Sequence, residues 1–376
     1  MQNKRHSMLW VAALIVLLLV AYFTVNWWVV GRFEQTTDDA YVSGNLVQVM
    51  PQLSGNVQAV YTDDTQWVSA DQPVVVINGA DALLALDKAK TELAQAVRAV
   101  QQMMQTTQVA QMQVNQRRDE LERARDDLSR RSELIDSRAV AREEVQHARI
   151  TVSSAQAALN ASLHQLAAAQ AAVAGTTLTN HPDVLHAETN LRQTWLNVQR
   201  STIKAPVSGY VAKRYVQVGE HVTPTSSLLT IAPPTQMWVD ANFKENQLQQ
   251  IRIGQSVTFY TDMYGKDVVF HGKVLGVSAG TGNVFSLLPP QNATGNWIKV
   301  VQRLPVRITL NTSELSKHPL RLGMSAMVTV DVHHQQGPML ATAQPVEAQY
   351  QTQVFIENDQ PAKQMIDQII KNNTHS

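Results

Sequence analysis

The spacing of apolar and polar positions divides the chain into dissimilar stretches. Residues 8–30, MLWVAALIVLLLVAYFTVNWWVV, run for 23 positions without a charge. As a helix they span about 34 Å, enough for a bilayer core. Residues 47–78 and 201–233 each alternate at strand period around a Ser-Gly turn. A shift of 154 positions, with no gap, lays Ser54 on Ser208, Gly55 on Gly209, Val57 on Val211, Val68 on Val222, Val74 on Leu228 and Ile77 on Ile231. Strands this short cannot bury a face alone, so the halves are expected to close on each other as one small sandwich. The chain between them must leave and return to nearly the same place.

That intervening stretch, residues 80–200, holds one glycine, Gly175, and one proline, Pro182. Leu86, Leu93, Val100, Thr107, Val114, Leu121, Leu128 and Ile135 recur every seven residues, with Ala89, Ala96, Met103, Ala110, Arg117, Ala124 and Arg131 as a companion register. The return limb repeats the scheme with Val145, Val152, Leu159, Leu166 and Val173 beside Ala148, Ala155, Ser162 and Ala169. A heptad sustained this far predicts an antiparallel coiled-coil hairpin. Periodicity fails at residues 136–141, and Glu143 and Glu144 open the next helix, so the tip is placed near 136–142. Each limb would be about 57 residues, or about 85 Å. The second is expected to break at 175–180 and restart at Pro182, with His181 as a neighbour of the cap rather than a ligand.

From Thr235 the pattern returns to strands, at 237–243, 256–260, 268–275, 298–301, 306–310 and 327–332, punctuated by Gly254, Gly265, Gly272, Gly295 and Gly323. These predict a small barrel, with an extra strand from residues 41–49. Residues 335–360 lack sustained periodicity, and residues 362–371 suit a short amphipathic helix.

Charge and composition narrow the function. Lys plus Arg and Asp plus Glu both total 31, so no global charge draws the chain to nucleic acid. Cysteine is absent, which excludes disulfides, thiolate metal sites, a cysteine nucleophile and a lipoprotein anchor. Lys4 and Arg5 precede the apolar run and Glu34, Asp38 and Asp39 follow it. The positive-inside bias then leaves residues 1–7 in the cytosol and the bulk of the chain across the membrane. No A-x-A site follows the run, and Trp27 and Trp28 suit an interfacial belt, so an uncleaved anchor is expected rather than a signal peptide.

Candidate chemistry is sparse. Asp38-Asp39 is expected to be a solvated turn outside the membrane. Gly280-Thr281-Gly282 lacks the strand and helix of a phosphate loop. His333-His334 would point to opposite faces of a strand, which does not suit one metal ion. Asn292-Ala293-Thr294 fits a glycosylation sequon. Asp87-Lys88-Ala89 resembles the motif of acyl-carrier lysines, but Lys88 falls within the heptads. No cofactor, metal or catalytic residue is expected, and a hydrolase reading has no support.

Residues 37–44 (TDDAYVSG), 205–211 (APVSGYV), 237–245 (MWVDANFKE), 252–257 (RIGQSV) and 280–308 (GTGNVFSLLPPQNATGNWIKVVQRLPVRI) carry a family resemblance. With this layout, the chain resembles the periplasmic adaptor, or HlyD-type membrane fusion protein, family of Gram-negative bacteria, and within it the EmrA-type branch. The resemblance implies an elongated mixed α and β fold. Its parts would be a transmembrane helix at 8–30, a β-barrel from 31–46 with 234–332, a split lipoyl-like β-sandwich from 47–79 with 201–233, a coiled-coil hairpin at 80–200, and a C-terminal tail at 333–376. It further implies an adaptor, not an enzyme, joining an inner-membrane major facilitator transporter to a TolC-type outer-membrane channel for export of hydrophobic toxic compounds. Such adaptors assemble as trimers or hexamers.

Docking adaptors of the family carry Arg-x3-Leu-x6-Ser at the hairpin tip. Arg130 and Leu134 match here, with Ser137 and Arg138 beside them, but Ala141 takes the serine position. The alternative for Arg130 is an ordinary solvated flank. Phe285, Leu287, Leu288, Asn292 and Trp297 are the candidate contact with the transporter or a neighbouring adaptor, unless the loop folds onto its own barrel. Ser54, Gly55, Ser208 and Gly209 mark the sandwich turns. Two other roles remain open: an adaptor for an ABC-type peptide or protein exporter, and a membrane-anchored lipoyl or biotinyl carrier modified at Lys88.

Overall fold

The computed structural model describes residues 14–22, 24–25, 28, 31–134, 140–282, 284, 301–340, 348–356 and 358–374. Strand β1 (Glu34–Gly44) is followed by four short strands, β2 (Val47–Val49), β3 (Gly55–Val60), β4 (Trp67–Val68) and β5 (Pro73–Ile77). Three helices come next: α1 (Ala80–Leu134), α2 (Arg142–Val173) and α3 (Pro182–Arg200). Four more short strands follow, β6 (Thr202–Lys204), β7 (Gly209–Arg214), β8 (His221–Val222) and β9 (Leu229–Ala232). The chain continues through β10 (Met237–Lys244), β11 (Ser256–Thr261), β12 (Phe270–Val277), β13 (Arg303–Leu310), a single helical turn α4 (Thr312–Leu315), β14 (Ser325–Asp331) and helix α5 (Gln360–Thr374).

The halves related by 154 positions interlock. One sheet has the order β2-β9-β7-β4 and the other β6-β5-β3-β8, so each takes its inner strands from one half and its outer strands from the other. The pairings repeat under the shift: Gly209 pairs with Val68, and Gly55 with Val222. Val57 N–H donates to Glu220 O at 2.8 Å, and Val211 N–H to Gln66 O at 2.9 Å. Val57, Val68, Val74, Ile77, Val211, Val222, Leu228 and Ile231 meet in one buried core. Neither half could hide these side chains without the other.

The second apolar system is a closed six-stranded barrel, ordered β1-β10-β13-β12-β11-β14. Alternate residues point inward, as with Val239, Ala241 and Phe243 on β10 and Ala326, Val328 and Val330 on β14. One continuous strand at 41–49 does not form. Gly44 ends β1 in the barrel and Val47 begins β2 in the sandwich, so Asn45 and Leu46 carry the chain between two bodies. Nor are Asp38 and Asp39 a solvated turn: they lie inside β1, where its register against β14 shifts between Thr37 and Ala40. Asp39 Oδ2 accepts from Arg303 at 2.8 Å and its Oδ1 from Asn242 at 3.1 Å. Of the strand expected at 298–301, residues 298–300 lie outside the described residues and Val301 is not in a strand.

Helix α1 packs against α2 and then α3. Leu86, Leu93, Val100, Val114 and Leu121 of the large register are buried. The small register is less strict: Met103 is exposed, whereas Val97, in neither register, is fully buried. Val97 shares a cluster with Ala362 and Ile366 of α5. Arg98 Nη1 also donates to Asn373 Oδ1 at 3.1 Å. The base of the hairpin is therefore three helices, and the distal part, around Val114, Leu121, Leu159 and Leu166, is two. The C-terminal region is not simply a tail. Thr352 Oγ1 donates to Pro206 O at 2.6 Å, so residues 348–356 strap the sandwich before α5 docks. His181 is the N-cap of α3 itself, accepting from Asp183 N–H, with Pro182 in the first turn.

Residues 14–22 are helical, and Leu14 through Val20 are each more than half exposed. Among the described residues, no helix is long and apolar enough to cross a membrane. Much of the anchor expected at 8–30 lies outside them, as does the whole of residues 1–7.

Candidate functional site

The barrel has two distinct ends. At one, Gly44 faces Met237 and Tyr41 faces Ser325. This end meets the sandwich: Asn45 Nδ2 donates to Gln236 Oε1 at 2.9 Å, and the Arg321 guanidinium lies 4.7 Å from the Tyr210 ring. At the other end Glu34 faces Asp331 and Lys244 faces Arg303. The 3-10 turn Gly31–Phe33 enters here, so the N-terminal helix arrives at the end remote from the sandwich. Aromatic and basic groups collect there. Arg32 stands 4.4 Å from the Phe33 ring, and Phe33 stacks on His333 at 4.2 Å. Asp331 accepts from the backbone and side chain of His333, which holds its carboxyl below the usual carboxylate range.

The stretch between Val277 and Arg303 also leaves and rejoins the barrel at this remote end, because β12 and β13 both terminate there. Phe285, Leu287, Leu288, Asn292 and Trp297 lie outside the described residues, but their points of departure and return are placed.

At the far end of the hairpin, α1 stops at Leu134 and α2 starts at Arg142. Ser137 and Arg138 fall outside the described residues. Arg130 is well exposed, and its 3.8 Å pair with Asp127 is loose because Arg131 holds the same carboxylate at 2.8 Å. Leu134 is 47% exposed at the last position of α1. Ala141 is the N-cap of α2, in extended conformation and with no side-chain capping bond. A serine there would accept from the first-turn amides, and Glu144 stands where a capping box needs its acid. The departure at Ala141 thus has a local cost, whatever it does to docking.

The sandwich turns are not equivalent. Ser208 Oγ accepts from Ala70 N–H at 2.8 Å. The position 154 residues beyond Ala70 is Pro224, which has no N–H to offer Ser54. Gly55 and Gly209 both lie under a neighbouring strand with no room for a Cβ. Lys88 sits on the exposed face of α1, 3.8 Å from Glu92, and not on a strand hairpin. Among the described residues no group of His, Asp and Glu is arranged to hold a metal.

Sequence reasoning missed the docking of α5. The available signal was the apolar Val97 outside both heptad registers, matched by Ala362, Ile366, Ile369 and Ile370 on one face of the last helix.

Two family models match: the EMRA alpha-helical hairpin domain over residues 80–201 and the AAEA-like beta-barrel domain over residues 236–332. Multidrug export protein EmrA of Escherichia coli (strain K12) is 44% identical over 93% of this chain and 90% of that one. Fatty acid resistance protein FarA of Neisseria gonorrhoeae is 47% identical over 81% and 78%. Probable multidrug resistance protein EmrK of Escherichia coli (strain K12) is 40% identical over 99% and 98%. A split sandwich bearing a helical hairpin on one side and a six-stranded barrel on the other defines the class, a membrane fusion protein. The chain belongs to the HlyD-type membrane fusion protein family, in its EmrA-like branch.

Proposed function

We propose that this chain is the periplasmic adaptor of a tripartite efflux pump, anchored in the inner membrane by residues 8–30. It joins a major facilitator transporter to a TolC-type outer-membrane channel and serves the export of hydrophobic toxic compounds. The observation that carries this reading is the separation of two contact ends. The barrel end remote from the sandwich receives the N-terminal helix and holds the strand ends Val277 and Arg303, while α1 leads away for 55 residues, about 82 Å. A rod of that length, stiffened by buried seams, spans distance. The export and resistance functions for which EmrA and FarA are named support the same role.

In this reading Arg130, Leu134, Ser137, Arg138 and Ala141 meet the channel, with Arg130 pairing to acid or carbonyl groups and Leu134 filling a groove between helices. Phe285, Leu287, Leu288, Asn292 and Trp297 meet the transporter or the next adaptor in a trimeric or hexameric ring. The chain has no cysteine, so single cysteines at Ser137 or Arg138 allow site-directed crosslinking in cells. Adducts to an outer-membrane channel are expected, together with copurification of a facilitator and loss of drug resistance on deletion. Adducts confined to inner-membrane or cytosolic proteins would overturn the topology, and copurification of an ABC exporter would replace the transporter assignment.

A further inference from the structure

Arg32 stands where the N-terminal helix meets the barrel, and aromatic rings hold it there. Its guanidinium lies 5.1 Å from the Trp28 ring and 4.4 Å from the Phe33 ring. Trp28 is the last described helical residue before the 3-10 turn, and a spacing of four puts it on the same helix face as Arg32. Phe33 is fixed to the barrel. It stacks on His333 at 4.2 Å, and its carbonyl accepts from Val332 N–H at 2.8 Å. One cation therefore bridges the N-terminal helix and the barrel. We propose that Arg32 binds the phosphodiester of a membrane phospholipid and so seats one lipid headgroup at the foot of the barrel. The inference rests on the reading of residues 8–30 as a membrane anchor.

Geometry selects the ligand. Stacking occupies the faces of a guanidinium and leaves the N–H groups on its edge free to fork onto two oxygens of one phosphate. Arg32 is exposed and makes no ion pair among the described residues. Two nearby carboxylates are already engaged: Asp331 accepts from His333, and Asp39 from Arg303 and Asn242. Exposed Lys244 at this end is offset by exposed Glu34, Asp38 and Glu245. The end thus carries no strong positive field, and recognition falls to the shape of one fork rather than to diffuse attraction of anions. Depth selects the source. Trp28 is 63% exposed, and a tryptophan closing an apolar helix lies at headgroup level. Four residues on, Arg32 stands about 6 Å further along the axis, toward the lipid phosphates. Its rings already order the side chain, so binding costs little further rotamer freedom.

The test uses the full chain purified in detergent, with bound lipid counted by native mass spectrometry as phosphatidylethanolamine is added. One retained lipid per chain is expected. Diacylglycerol, with the same tails and no phosphate, should not be retained, and inorganic phosphate should not displace the bound lipid. Arg32→Lys keeps the charge but loses the fork, and should raise the half-saturating lipid concentration about tenfold, as should Arg32→Gln. Arg5→Gln, on the other side of the apolar run, should leave it unchanged, with all three variants melting as wild type does. Equal retention by Arg32→Lys, retention of diacylglycerol, or displacement by inorganic phosphate would each overturn the proposal. Alkaline carbonate extraction of cell membranes separates this from the anchor reading. A chain that resists extraction while Arg32→Lys retains lipid normally refutes the headgroup site alone; a wild-type chain released by carbonate refutes the anchor and the site with it.

Discussion

Gly209 lies so close to Ala232 that a Cβ added to it would stand 2.6 Å from the Ala232 carbonyl oxygen. That contact brings β7 onto β9 and closes one sheet of the sandwich. Its counterpart, Gly55, would overlap the γ2 methyl of Ile77. A backbone carbonyl cannot turn aside, whereas a methyl group can shift within its packing. Gly209→Ala is therefore expected to cost about 1–3 kcal/mol and Gly55→Ala less, as read from urea unfolding of the purified protein. A larger cost at Gly55 would show that the Ile77 methyl cannot yield within its packing.

The same symmetry exposes a strained position. Gly219 has φ of +85° and donates its N–H to Val57 O; 154 residues earlier, Thr65 has φ of +69° and donates to Val211 O. A β-branched residue there is strained, and glycine is not. After glycine's greater unfolded-state entropy is subtracted, Thr65→Gly should stabilise the sandwich by about 1 kcal/mol. A lower melting temperature for the variant would contradict this.

Ala141→Ser should give α2 the side-chain cap it lacks, with Glu144 positioned to complete a capping box. The expected gain is about 1 kcal/mol of helix stability at the tip. Slower hydrogen exchange of the first-turn amides of α2, with unchanged exchange at the hairpin base, would identify it. If channel docking strengthens in parallel, the serine of related tips acts partly by ordering the helix start.

Helix α5 makes a further expectation concrete. Ile366 is 4% exposed against the cluster holding Val97, Leu93 and Leu191. Ile366→Ala should cost about 2–5 kcal/mol locally and free the last helix to limited proteolysis. Cleavage within Gln360–Thr374 at the wild-type rate would show that the docking is unimportant.

Burial at the hairpin base raises the Glu188 carboxyl above the usual glutamate range; Arg192 opposes the shift and Asp367 of α5 adds to it. A carboxyl raised in the folded state contributes stability below its unfolded value, about 4.3, and loses it as pH rises through the folded value. Near neutral pH the ionised group thus weakens the docking of α5. Glu188→Gln should melt higher than wild type at pH 7.5, and the gap should shrink on acidification toward pH 4. A gap that widens with acid would reverse the assigned sign.

Much of this architecture was open to inspection in the linear order of residues. The 154-residue correspondence appears in Gly55 with Gly209 and Val68 with Val222, because a repeated strand pattern repeats its side-chain directions regardless of context. The heptads of α1 and the break before Pro182 were equally legible, being local consequences of helix period and a missing N–H. At the hairpin's far end, the pattern located a tip near 136–142 but not the geometry of Ala141 as a helix cap.

Which strands share a sheet was decided only in three dimensions. The interleaving of β9 and β7 between β2 and β4 depends on shape fit between distant segments, and alternation alone is compatible with several orders. The division at Asn45 and Leu46 also escaped the pattern, since both flanking strands alternate alike. The docking of α5 beside Val97 required the folded hairpin to present its free apolar stripe. Local periods and the repeat follow from residue order alone; packing in space selected the partners, because burial rewards surfaces that meet, whatever their separation along the chain.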